Sequence, residues 1–314
     1  MKRNYNYDFI RMTAIVLVIL IHSCGQLVES DWGGARLEYV LIASVIDMGV
    51  PLFLMLSGAL LLGKEEPLGV FFKKRFSRIL LPFLIWSLVF YVLLFPPHGI
   101  DCLWDYPYKL LTGGIHGVYW FVYTIIGLYL LTPLLRPAMR DRTIGLWTGG
   151  LLLGLFLLRT AFPEKFPLVE GIWMPDLRHL MTYVGGFLLV RHLDGKPWLR
   201  WAAPLWMLLW MGAQVTFALV HPIDFPFYIF SAFGLFAWVN TWHFRRERKV
   251  VTLLSETSYG IYLCHAAVIS LFVRLTAGYI PIPLTPFTTA AFTLVVTAGM
   301  MWAASKCKLR KIVF

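Results

Sequence analysis

The chain has 314 residues, 59% of them hydrophobic and only 14% charged, with a formal net charge of +11 and a mean hydropathy of +0.70. No water-soluble core hides that much apolar surface, and the apolar residues fall in runs of about 20, the helical length that crosses roughly 30 Å of hydrocarbon. Strictly alternating ten-residue segments are absent, which argues against an outer-membrane barrel, and the basic residues sit at the ends of the apolar runs, which points to lipid headgroups and topology, not nucleic acid.

Ten spans are predicted, at 9–28, 40–62, 79–95, 118–135, 144–160, 178–192, 198–219, 226–242, 258–276 and 286–305. With the amino terminus inside, 21 lysines and arginines fall on the cytoplasmic side and 6 on the other, with Arg11 inside the first span. This positive-inside bias sets the parity and puts both termini in the cytoplasm. The expected fold is an all-α, polytopic membrane helical bundle of about ten transmembrane helices, one domain over residues 1–314. Four scattered cysteines, Cys24, Cys102, Cys264 and Cys307, show neither CxxC nor Cys/His spacing, so no disulfide framework and no metal site is expected.

The first span carries Arg11 and His22. Eleven residues at 100° each return to within about 20° of the starting direction, so both side chains share one helix face, roughly 16 Å apart. Arg11 reaches the cytoplasmic edge. His22 sits deep, where an ionisable group faces a cavity or a polar partner; chemistry and interhelical glue both fit such a histidine. In the second span Asp47 lies at a similar depth from the outer side. Its carboxylate would fix the tautomer of His22 and stabilise an imidazolium, or it snorkels to the outer leaflet. Farther along this span, Ser57 beside Gly58 suits helix packing first, or the lining of a pore.

Between the second and third spans, Lys73, Lys74, Arg75 and Arg78 put four cations in six positions at the cytoplasmic mouth. Topology, lipid headgroups and a polyphosphate ligand all account for such a cluster. His116-Gly117-Val118-Tyr119-Trp120-Phe121 opens the fourth span with an aromatic group that suits an interface belt or a sugar ring. His265, in Ser258-Tyr259-Gly260-Ile261-Tyr262-Leu263-Cys264-His265, is placed by the span boundaries near the cytoplasmic third, away from His22, with a structural role at least as well supported as a catalytic one.

Taken in order, these segments resemble the acyltransferase-3 family of bacterial integral membrane acyltransferases, especially its short, single-domain O-acetyltransferases. The resemblance rests on Arg11 and His22 behind Asp8, on Val50-Pro51-Leu52-Phe53-Leu54-Met55-Leu56-Ser57-Gly58, and on Arg75-xx-Arg78-Ile79-xx-Pro82. Trp120-Phe121 with Tyr129-Leu130-Leu131-Thr132-Pro133, and the segment ending at His265, complete it. Leu54-Met55-Leu56 departs from the Phe-Phe frequent in larger members. The resemblance implies transfer of an acetyl or other short acyl group from cytoplasmic acyl-CoA to a hydroxyl of an envelope polysaccharide or glycolipid, in the bacterial cytoplasmic membrane. Arg11, Lys73, Lys74, Arg75 and Arg78 would hold the acetyl-CoA phosphates. His22, supported by Asp47, would act as general base or transient acyl carrier. A transporter or flippase for an envelope glycan is the competing reading. Acyl-CoA, the glycan acceptor and membrane lipid are the expected partners; no metal and no nucleic acid are expected, and the oligomeric state is open.

Overall fold

The computed structural model describes residues 3–28, 36–95, 102–162, 173, 175–220, 225–244, 246–276, 279 and 285–306, with the side chains of 26–28, 36–39 and 102–103 left aside. Of the charges counted above, Lys2, Lys165, Arg245, Lys308, Arg310 and Lys311 lie outside the described residues, as does Cys307. The helices in chain order are α1 (Tyr5–Val28), α2 (Arg36–Ile46), α3 (Gly49–Leu61), α4 (Leu68–Leu94), α5 (Cys102–Thr112), α6 (Trp120–Arg140), α7 (Arg142–Ala161), α8 (Leu177–Leu193), α9 (Leu199–Val220), α10 (Tyr228–Asn240), α11 (Lys249–Thr276) and α12 (Thr285–Lys306). A 3-10 turn, Gly117–Tyr119, leads into α6, and no strand occurs among the described residues.

Eight stretches among the described residues are long and apolar enough to cross a membrane, with α2 and α3 joined into one of them. The shorter α8 and α10 occupy the sixth and eighth predicted spans. The chain is a polytopic all-α membrane protein. α5, in the outer loop between the third and fourth spans, is an additional short helix.

Polar contacts tie together ends that the alternation of charges places on one side. At the start of α1, Tyr5 Oη accepts from the Arg248 amide at 2.8 Å and Asn6 Nδ2 donates to the carbonyls of Val239 and Asn240 at the end of α10. The Arg191 guanidinium at the end of α8 donates to the Met139 and Arg140 carbonyls at the end of α6. At the opposite face, Arg159 ending α7 pairs at 2.8 Å with Asp176, which opens α8. An odd number of crossings between any of these pairs would have separated them.

Two helix starts differ from the predicted spans, and both move functional residues. α4 begins at Leu68 behind Pro67, so Lys73 to Arg78 stand on its first turns and not in a connecting segment. α11 begins at Lys249, nine residues ahead of the predicted span, which carries His265 deeper into the bundle than expected. Hydropathy marks where helices enter lipid, and a charged helical extension beyond it is invisible to that signal.

The second span breaks at Asp47 and Met48. Pro51 has no amide hydrogen for the Asp47 carbonyl one turn earlier, and its ring crowds that carbonyl, so the helix restarts at Gly49. Gly49 lets the restarted helix press on α1: a Cβ there would lie 3.0 Å from Leu17 Cβ and 3.1 Å from the Ala14 carbonyl oxygen. α3 in turn crosses α8 at very close range. A Cβ on Gly58 would sit 1.8 Å from the Tyr183 carbonyl oxygen, and one on Gly186 would sit 2.3 Å from that of Met55. Between them α1 and α8 hold the break in place from two sides.

Candidate active site

A cavity of about 330 Å³ opens beside the α2–α3 break, at the small end of the range for ligand pockets. His22 of α1 and Asp47 of the break line it together, with Trp120 of α6 and Arg178, His179 and Thr182 of α8. The two residues matched by depth in the sequence thus share one wall-lined space. Trp120 and His179 stack with centroids 5.2 Å apart, and His179 Nδ1 is buried with no hydrogen-bond partner among the described residues. Arg178 Nε lies 2.9 Å from Asp176, the carboxylate that also takes Arg159. Arg178 and His179 were legible only as an outer-side charge and an unremarked span residue.

His265 corrects the sequence reading most. It is fully buried, and its ring meets that of His22 with centroids 4.9 Å apart. The contact follows from register. α1 and α11 run in parallel from bonded starts, with Tyr5 on Arg248 and Arg11 Nη1 on Ser255 Oγ at 3.0 Å. The offset between partners is 243 in the first pair and 244 in the second, and 243 again between His22 and His265. Seventeen residues on from Tyr5 and seventeen on from Arg248 therefore reach the same depth, roughly 25 Å from that bonded pair.

The turn before α6 closes this site. His116 Nδ1 accepts from the Val118 amide at 3.2 Å, the Tyr262 hydroxyl donates to the Val118 carbonyl, and the Tyr119 hydroxyl donates to the Leu263 carbonyl at 3.4 Å. Burial in this corner lowers the pKa of His116 below its usual range. The aromatic opening of the fourth span and the Tyr262-to-His265 segment, unrelated in the sequence, form one wall.

Toward the cytoplasm, Asp8 anchors the bases of α1 and α11. Ser255 Oγ donates to its carboxylate at 2.6 Å, Arg11 lies 3.6 Å away, and Arg3 bridges Asp8 to Glu256. On α4, Lys74 and Arg75 pair with Glu66 at 3.3 and 3.1 Å, and the buried Arg136 of α6 approaches the same carboxylate at 3.5 Å. Burial pushes the Glu66 carboxyl up, but the Lys74 hydrogen bond and the charges of Arg75, Lys74 and Arg136 outweigh it and hold it below the ordinary value. Burial and the charge of Arg75, with smaller parts from Lys74 and Arg136, lower the pKa of Lys64 against the opposing pull of Glu66. Of the predicted cations, Arg11 stands beside Asp8 and Ser255, Lys74 and Arg75 serve Glu66, and Lys73 and Arg78 stay exposed. Glu66 and Arg136 had no distinguishing signal in the sequence beyond their charge.

Among the described residues, no group of three or more His, Cys, Asp or Glu side chains is placed to hold a metal ion. The described residues thus form a polytopic bundle in which His22 and His179 line a cavity and Arg11 stands nearer the start of the helix that bears His22. The acyltransferase-3 family model, described as an acyltransferase domain, matches residues 4–305, and the chain belongs to that family of membrane acyltransferases. No curated protein and no solved structure gives a significant match.

Proposed function

We propose that the protein transfers an acetyl or other short acyl group from cytoplasmic acyl-CoA to a hydroxyl of a cell-envelope glycan or glycolipid reached from the outer side. The observation that carries this reading is α1 itself. One unbroken helix bears Arg11 among the inner arginines and His22 at the cavity, roughly 16 Å apart on one face. That separation suits a donor whose phosphates stay with Arg11, Arg75 and Arg78 while its pantetheine arm carries the thioester inward. Lys73 and Lys74 add point charges at the mouth, where they also meet anionic lipid. Family membership favours acyl transfer over glycan transport.

In the proposed step a bare nitrogen of His22 takes the proton of the acceptor hydroxyl as its oxygen attacks the thioester carbonyl. The carbon–sulfur bond breaks, the new ester forms, and the CoA thiolate leaves and takes the proton back from the His22 imidazolium. Asp47, on the same cavity, stabilises that imidazolium. The alternative, an acyl group carried briefly on His22, uses the same residues.

The test is transfer of label from acetyl-CoA to envelope glycan in proteoliposomes. Wild-type protein should transfer, and His22→Ala should lower turnover by about a hundredfold or more, the usual worth of a general base. Transfer undiminished in His22→Ala sinks the assignment, and glycan movement without CoA supports transport instead.

A further inference from the structure

We infer that His265 positions His22, accepting a hydrogen bond from one ring nitrogen of His22 so that the other is held bare toward the cavity. The inference rests on the reading of His22 as the base or acyl carrier proposed above.

The argument starts at the Tyr262 carbonyl, which is bonded to His265 Nδ1. A carbonyl oxygen only accepts, so Nδ1 carries a proton. In the neutral ring, Nε2 is then a lone pair that needs a donor. His265 Nε2 is buried and has no hydrogen-bond partner among the described residues, an arrangement that folded proteins seldom leave standing.

The hydroxyl and thiol donors around it are already committed. The Tyr262 hydroxyl serves the Val118 carbonyl and the Tyr119 hydroxyl the Leu263 carbonyl. The Ser258 hydroxyl donates to the Ser255 carbonyl at 3.0 Å and the Cys264 thiol to the Ile261 carbonyl at 3.7 Å. His116 packs its ring on Phe90 and Tyr119, whereas the imidazole in ring contact with His265 is that of another helix. The imidazole packed on His265 is His22, with centroids 4.9 Å apart and planes at 45°. At that separation a small ring rotation brings facing nitrogens to hydrogen-bonding distance. The parallel, bonded starts of α1 and α11 keep the two rings at one depth, so the pairing is built into the backbone register.

Function follows from the tautomer. With its N–H engaged by His265, His22 presents a lone pair to the cavity, the form required to take a proton from a hydroxyl. His265 is a neutral orienter, in the place that a carboxylate fills in a triad. Asp47, on the cavity side, is then left to face the charge that develops on His22 during transfer.

Two replacements separate positioning from packing. His265→Gln puts an oxygen near the former Nε2, and His265→Phe keeps the ring volume without an acceptor. Turnover and both KM values are measured in proteoliposomes, together with the rate at which diethyl pyrocarbonate modifies His22, followed by mass spectrometry. His265→Phe should lower kcat by about tenfold or more, at the scale of a misoriented base, with both KM values within about twofold. It should also slow modification of His22 by a similar factor, and His265→Gln should restore most of both. Wild-type turnover and labelling in His265→Phe, or a Gln variant no better than Phe, overturns the inference, as does dependence on Asp47→Asn with none on His265. If the Phe variant does not fold, His265→Asn, which mimics Nδ1 but not Nε2, takes its place and should remain slow. If wild-type protein transfers no acyl group, the labelling rates alone decide the positioning, so the two readings fail separately.

Discussion

Glu66 sits in the short connection between α3 and α4, with Lys74, Arg75 and Arg136 within ion-pair range and Lys64 close enough to be repelled by the same cations. The Glu66, Arg75 and Arg136 side chains are only 13%, 12% and 10% exposed, so removing the carboxylate leaves two shielded guanidinium groups facing each other. Glu66→Gln should cost roughly 1–3 kcal/mol of stability, the penalty of stranding charged partners, read as a lowered melting temperature in detergent. Because the folded pKa of Glu66 lies below the ordinary 4.5, its contribution is fully present above that value and is lost as pH falls through the lower, folded one. Wild-type melting should therefore decline below about pH 4.5 more steeply than that of Glu66→Gln. Lys64→Gln should do the reverse at neutral pH: it relieves repulsion, so melting holds or rises slightly, while KM for acyl-CoA rises by about twofold or more as the inner field weakens. A fall in melting temperature with KM unchanged would show that Lys64 is a packing residue. At this scale the sequence was legible where residue type met spacing, as with Arg11 and His22. It was silent on Glu66 and Arg136, whose meaning lies in partners on other helices.

The close crossing of α3 over α8 is what fixes the depth of the Asp47 break against the cavity. Gly58 and Gly186 each face a carbonyl of the other helix across a gap that no Cβ fits, the small-residue packing by which membrane helices approach. Above the crossing, the Tyr183 hydroxyl and Thr132 hydroxyl share a bond of 2.8 Å, and Arg136 Nε donates to the Leu61 carbonyl at 3.2 Å. Gly58→Ala would have to force the helices apart, at a cost of about 1–3 kcal/mol as for other overpacked sites, and would carry Asp47 away from His22. Melting should fall and turnover with it, whereas Gly150→Ala on α7, where nothing lies within 4 Å, should change neither. The existence and order of the helices could be read from hydropathy. Their starts could not, although Pro67 just ahead of α4 and Pro51 one turn after Asp47 were usable signals of a helix start and a helix break. The lateness assigned to α11 is what hid the meeting of His22 with His265.

Across the whole molecule, chemistry is arranged along the membrane normal. α1 packs against α3, α11 and α12, and it carries both the inner arginine and the cavity histidine. The cavity wall is completed at the outer half by Trp120, Arg178 and His179, near the end where Arg159 and Asp176 pair. The proposed donor, too polar to cross lipid, must then be used from one face. In sealed inside-out vesicles, acyl-CoA added to the medium should support transfer. In right-side-out vesicles it should give none until the membrane is permeabilised, with protein amount and orientation checked on each preparation. Raising salt from about 50 to 500 mM shortens the screening length from roughly 14 to 4 Å, so KM for the donor should rise while kcat stays nearly constant. Equal activity from both faces would break the link between the charge bias that sets topology and the donor site built from some of the same arginines. A salt effect on kcat alone would move the role of Arg11, Arg75 and Arg78 from holding the donor to holding the fold.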